Sequence, residues 1–155
     1  MDPLYELALS VKAIERELTQ RLNEAMQPLG ITAAQADALV VIAQAEPVSL
    51  KELGELLIAE GGHPSRLVDR LVEAGLVQRR PAKDDKRRLE LSLTTRGRRL
   101  EKRVAAARQG IMDLARQLVP DRDMNSAMKV LRELIQQTQF ADLIERRMAL
   151  DRERP

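Results

Sequence analysis

In the stretch Asp85-Lys86-Arg87-Arg88-Leu89-Glu90-Leu91-Ser92-Leu93-Thr94-Thr95-Arg96-Gly97, three leucines alternate with Arg88, Glu90, Ser92 and Thr94. A period of two is that of a strand, and it places Leu89, Leu91 and Leu93 on one face, toward a core, with the polar residues outward. Thr94 or Thr95 then caps a long helix through Leu100, Val104, Ile111, Leu114 and Leu118, stopped by Pro120. Upstream, Leu76-Val77-Gln78-Arg79-Arg80 predicts a partner strand and Pro81 to Lys86 a polar turn. The expected unit is a two-stranded hairpin whose tip, Lys83 to Arg88, projects into solvent.

Before the hairpin the period is helical. Pro64 suits a first helical turn, so a helix starts near His63, carries Leu67, Val68, Leu71 and Val72 inward, and ends at Gly75, a residue able to take positive φ. A tight connection, Ala59-Glu60-Gly61-Gly62, joins it to a helix opened by Ser49-Leu50-Lys51-Glu52, a capping box in which each side chain satisfies a backbone N–H. Two helices across a short glycine turn form a helix-turn-helix candidate. A further helix follows Thr32, a candidate N-cap, and runs to the break at Glu46-Pro47. At the N-terminus, Leu4, Leu7, Val11, Ile14, Leu18, Leu22 and Met26 are spaced by threes and fours, one long amphipathic helix ended by Pro28 and Gly30. After Pro120, helical spacing resumes from about Asp121 and again after Phe140. The first and last helical blocks have apolar stripes without an evident covering layer, so a two-fold symmetric homodimer is expected; a monomeric bundle is the alternative.

Charge is polarised along the chain. Between Arg79 and Arg103 eleven basic residues face four acidic ones, a balance of +7, whereas the other 130 residues carry −5. A local positive field of this kind suits a polyanion, although a charge run is commonly a solvated face. Aromatic residues make up only 1% of the chain, so its interior must be aliphatic. Cysteine is absent, which excludes disulfides, thiolate zinc sites and thiol redox switches. A lone His63 offers too few metal ligands, and no catalytic triad or phosphate-binding glycine loop is present. No cofactor, no metal and no enzymatic activity are expected. Short apolar runs give neither a membrane span nor a secretion signal, so the expected location is cytoplasmic.

The order helix, helix, helix-turn-helix, charged hairpin and further helices is similar to that of the multiple antibiotic resistance regulator (MarR) family. Asp85-Lys86-Arg87 resembles that family's D-x-R wing, and Leu93-Thr94-Thr95-Arg96-Gly97 its strand-to-helix junction. Ser49 to Leu53, Ser65 to Leu71 and Glu73 to Val77 are also similar, in order and spacing. The resemblance implies a mainly α fold: one protomer over 1–155, a winged helix-turn-helix DNA-binding domain over 32–96, a recognition helix at about 63–74, a wing at about 77–94, and dimerisation helices over 4–27 and 97–150. Gly61-Gly62-His63-Pro64 departs from the small hydroxylated residues of many relatives, so the operator bases cannot be transferred.

On this reading the helix from His63 enters the major groove. Arg66 is the leading base contact, since a guanidinium grips guanine O6 and N7 together; a phosphate contact, or an ion pair with Asp69 or Glu73, is the alternative. His63, Pro64 and Ser65 meet a base, methyl group or phosphate, or serve only to start the helix. Arg70, one turn on, suits phosphate. Ser49 contacts phosphate with its helix N-terminus, or only caps. Asp85 and Arg87, two apart, share a strand face where the carboxylate can orient the guanidinium. The resemblance implies that Arg87 enters the minor groove, with Lys83, Lys86 and Arg88 on phosphates; solvated edge charge is the alternative for Lys86 and Arg88. Two heads would read half-sites roughly 34 Å apart on a pseudo-palindromic double-stranded DNA. The resemblance also implies a small-molecule effector in a crevice beside the dimer helices; Tyr5, Met26, Met112 and Phe140 are its candidates, each equally explained by packing. The leading function is a repressor released by that effector. A ligand-independent activator or architectural DNA binder, and a winged-helix protein-interaction scaffold, are the alternatives.

Overall fold

The computed structural model describes residues 2–58 and 63–152. The expected connection Ala59-Glu60-Gly61-Gly62 therefore lies outside the described residues. Helix α1 (Pro3–Met26) begins where the Asp2 carboxylate accepts from the Leu4 N–H at 2.8 Å, and it ends in a 3-10 turn, Gln27–Leu29, closed by Gly30 at φ 74°. Helix α2 (Ala33–Ala45) opens with a capping box. Thr32 Oγ1 accepts from the Gln35 N–H at 3.2 Å, and Gln35 Oε1 accepts from the Thr32 N–H at 2.9 Å. Strand β1 (Val48–Ser49) leads directly into α3 (Leu50–Leu56), then come α4 (Pro64–Glu73), β2 (Val77–Pro81) and β3 (Leu89–Leu93). Helices α5 (Thr95–Arg116), α6 (Asp121–Ile135) and α7 (Ala141–Arg152) complete the chain.

The sheet has three antiparallel strands in the order β1-β3-β2, not the two expected. Val48 pairs with Leu91, in a strand that sequence periodicity cannot show. Two residues are too few to display a period. Leu91 and Leu93 are buried as expected, but Leu89 is 51% exposed. It pairs with Pro81 at the last register of the hairpin, where the ladder opens into its turn and the core has already ended.

The core joins Leu39, Val41 and Ile42 of α2 to Leu53 and Leu56 of α3, to Val68 and Leu71 of α4, and to Leu76, Val77, Leu91 and Leu93 of the wing. Each of these side chains contributes roughly 1.5–3 kcal/mol by leaving water. A smaller cluster, Met26, Ala36, Val40 and Val104, seats α1 and α5 on the other side of α2. Gly54 lets α3 approach α4, since a Cβ there would lie 3.2 Å from the Pro64 ring.

The wing is locked to the end of α4 by the backbone. Gly75 at φ 67° ends α4 with the Gly75 N–H on Val72 O and the Leu76 N–H on Leu71 O, both 2.9 Å, which satisfies carbonyls that the helix leaves open. The Leu76 carbonyl then accepts from the Thr94 N–H at 3.0 Å, while the Thr94 hydroxyl donates to Gly75 O at 2.7 Å and accepts from the Gly97 N–H at 3.0 Å. Gly97 is required because a Cβ there would meet Leu76 O at 2.0 Å. Residues Leu93 to Gly97 are thus the joint at which α5 rests on the end of α4.

The terminal helices differ. In α1 only Met26 is buried and in α6 no described residue is. Leu4, Leu9, Val11 and Ile14 of α1, with Met124, Val130 and Leu134 of α6, leave an apolar surface bare. By contrast α7 turns back on α2 and α3 of the same chain, burying Leu143.

Candidate nucleic-acid interface

Helix α4 divides by exposure. Val68 and Leu71 are fully buried, while Arg66, Arg70 and His63 are exposed and Pro64 and Ser65 half-buried. The helix start has Pro64, which lacks an N–H, in its first turn, and His63 at the cap position makes no side-chain cap bond, while the Arg66 N–H donates to His63 O at 3.1 Å. Asp69 forms an ion pair with Arg79 of β2 at 2.5 Å. This removes one expected alternative partner of Arg66 and ties helix to wing. Among the described residues, the guanidinium groups of Arg66 and Arg70 make no hydrogen bond or ion pair.

Ser49 is committed to capping. Its hydroxyl donates to Glu52 Oε2 at 2.7 Å and accepts from the Glu52 N–H at 3.2 Å, while the Ser49 N–H donates to the same carboxylate at 2.8 Å. The Ser49 hydroxyl and backbone hold the Glu52 carboxyl below its usual range.

The wing tip corrects one expectation. Asp85 and Arg87 do not share a strand face, because both lie in the turn between β2 and β3. Asp85 Oδ1 accepts from the backbone N–H of Arg87 at 2.9 Å, and Asp85 O accepts from the Arg88 N–H at 3.0 Å. The carboxylate therefore shapes the loop that presents Arg87, instead of gripping its guanidinium, because a short acidic side chain in a turn reaches the N–H two residues on. Lys83, Lys86 and Arg87 are exposed and, among the described residues, their side chains are unpaired. Arg88 differs. It grips Asp84 at 2.8 and 2.9 Å and reaches Glu90 at 3.2 Å, and its hydrogen bond and charge hold the Asp84 carboxyl below its usual range. Any phosphate contact by Arg88 competes with exposed Asp84 and half-buried Glu90.

Two functional supports escape sequence reasoning. The Glu46 carboxylate accepts from the Leu93 N–H at 2.8 Å and pairs with Arg98, joining the end of α2 to β3 and α5. Asp37 of α2 accepts from Arg147 of α7 at 3.0 and 3.1 Å and from Arg108 of α5 at 3.2 Å, and Arg147 also donates to Leu56 O at 3.1 Å. Burial raises the Asp37 pKa, but the hydrogen bonds and charges of Arg147, then Arg108, outweigh it, so the carboxyl lies below its usual range. A lone acid inside the apolar run of α2 was the available signal; its partners, 71 and 110 residues away, had none. Of the effector-crevice candidates, Met26 is core, while Tyr5, Met112 and Phe140 are exposed. Among the described residues there is no group of three or more metal-ligating side chains, and no single helix is long and apolar enough to cross a membrane.

Comparison with known proteins agrees with this geometry. The MarR family model matches residues 29–88. The organic hydroperoxide resistance transcriptional regulator of Bacillus subtilis is 28% identical over 133 residues, 85% of this chain and 90% of that protein. The multiple antibiotic resistance protein MarR of Escherichia coli is 38% identical over 94 residues, 61% of this chain and 65% of that one. Among solved structures, a cysteine-to-serine mutant of E. coli MarR complexed with operator DNA superposes with a TM-score of 0.76 at 27% identity, covering 85% of this chain and 95% of that one.

Proposed function

The chain belongs to the MarR family of transcriptional regulators, and from that premise we propose that it is a homodimeric, sequence-specific DNA-binding repressor released by a small ligand. The observation that carries this reading is the rigid pairing of two exposed basic elements. Helix α4 presents Arg66 and Arg70 outward, and the Asp69–Arg79 pair and the Thr94–Gly75 hydrogen bond hold it in a set relation to the wing that presents Arg87. The likeness to a DNA-bound relative supports it.

In this proposal α4 lies in the major groove, with Arg66 on a base edge and His63, Pro64 and Ser65 at its entry. Arg70, Lys83 and Lys86 neutralise phosphates, and Arg87 enters the minor groove, with Asp85 setting its loop. Ser49 and Arg88 contribute through structure first, since both are already bonded within the chain. Helices α1, the outer part of α5 and α6 form the dimer seam, and the winged unit spans 32–96. The protein acts in the cytoplasm and has no enzymatic activity of its own. With no cysteine, this chain cannot respond to a signal by thiol oxidation.

Selection of bound duplexes from a random pool tests the proposal. It should return a pseudo-palindrome with half-sites one helical turn apart. With about six phosphates neutralised, the log–log salt slope should be about −5. Recovery of no preferred sequence, or affinity indifferent to salt, would overturn it.

A further inference from the structure

The first three turns of α5 carry Arg96, Arg99 and Arg103, spaced by three and four and therefore on one face of the helix. All three line a cavity of about 250 Å³ whose floor is Leu29, Ile31, Leu76 and Leu100. Among the described residues, no carboxylate lines this cavity. The placement is unfavourable by itself: three like charges sit on one face, and the first of them lie against the positive end of the helix, with no acidic residue in its first turn. Arg98, one residue away, is neutralised by Glu46, whereas among the described residues the other three make no ion pair or hydrogen bond. Self-repelling charge held over an apolar floor is what an anion with an organic body complements.

The geometry points to a binding site for a small phosphate monoester in this cavity. A monocarboxylate would leave two of three positive charges uncompensated, whereas a phosphate monoester brings about −1.5 to −2 and three acceptor oxygens. Guanidinium forks match those oxygens pairwise. Size bounds the rest of the ligand, since the cavity is smaller than the roughly 300–1,000 Å³ that takes a drug-sized molecule. A single ring or short chain on the phosphate fits; a dinucleotide does not.

The position couples such a ligand to DNA reading, a step that rests on the function proposed above. The cavity also touches Ala74, at the end of α4, and Gly30, the joint between α1 and α2. Occupancy therefore bears on the angle between the winged unit and the long terminal helix, and a ligand preferring one angle shifts the population toward it.

Phenyl phosphate is the probe, with benzoate as its singly charged counterpart, titrated calorimetrically into the full chain in phosphate-free buffer. Phenyl phosphate should bind once per protomer and at least tenfold tighter than benzoate. The Arg99→Gln/Arg103→Gln pair should weaken it at least tenfold, and Arg87→Ala should leave it unchanged. On the unaltered protein, phenyl phosphate should protect Arg96, Arg99 and Arg103 from phenylglyoxal, read by peptide mass. Absence of saturable binding, equal affinity for benzoate, or no protection overturns the site. Without ligand the double variant should bind duplex DNA within twofold of the original; a loss with a shallower salt slope would make these arginines DNA contacts and overturn the ligand assignment. If phenyl phosphate binds but DNA affinity does not change, the site stands and the coupling falls. If phenyl phosphate binds while no DNA is recognised, the proposed regulator falls and the site stands.

Discussion

The winged unit and the terminal helices use the same aliphatic residues to opposite ends. In the winged unit, α2, α3, α4 and three strands enclose Leu39, Ile42, Leu53, Leu71 and Leu91 at 0–1% exposure. In α1 and α6, Leu4 is 70% and Leu134 48% exposed, although their spacing is just as regular. Periodicity thus says that a face is apolar and does not say what covers it. A stripe this extended is not stable facing water, and the homodimer proposed above would bury it against a second copy.

The largest effect should come at the joint between the two regions. Gly97→Ala places a Cβ 2.0 Å from the Leu76 carbonyl, so α5 or the end of α4 must move. Urea unfolding should show a loss of at least about 3 kcal/mol, together with loss of DNA binding; a loss under about 1 kcal/mol would show that the joint is loose.

Next is a direct contrast of the two regions. Leu71→Ala should cost about 2–5 kcal/mol at every protein concentration, because its cavity lies within one chain. Ile14→Glu should leave the winged unit intact and abolish the rise of Tm with concentration that a dimer shows. Equal behaviour of the two variants would remove the distinction between a private core and a shared one.

A smaller effect is expected at Asp37, which clamps α7 and α5 to α2. Asp37→Asn should cost about 2 kcal/mol near neutral pH, below the value for a fully buried pair because all three side chains remain partly exposed. The folded pKa lies below the usual one, so this contribution is complete above the unfolded value of about 3.9 and is lost as pH falls through the folded pKa. The stability gap between the two proteins should therefore be flat from pH 5 to 7 and narrow below about pH 4. A gap that widens on acidification would reverse the sign of the clamp.

Arg87→Ala should affect only binding. DNA affinity should fall about tenfold, while Tm stays constant, since the side chain is exposed. Asp85→Ala should lower affinity by a similar factor if its role is to shape the loop, and the two losses should not add.

Local chemistry accounts for what the sequence made legible. Ser49 and Glu52, Thr32, Pro64, Gly75 and Thr94 each settle a helix end within a few residues, and all six act where they were expected to. Strand β1 was missed because its pairing is with Leu91, 43 residues on, and its two residues carry no period. Leu89 was misplaced because alternation continues past the point where the core ends. The Asp37 and Glu46 clamps and the basic cavity on α5 depend on distant segments meeting, which no window of sequence records. At the wing tip the residue types were legible and the bonding was not, since Asp85 acts on backbone.

The central claim is that two protomers present paired heads to one duplex. Sedimentation equilibrium of the protein with a selected operator duplex tests it most directly. Two protomers per duplex, preserved on dilution and reduced to no complex by Ile14→Glu, is the predicted result; a single protomer bound with full affinity and sequence preference would contradict it.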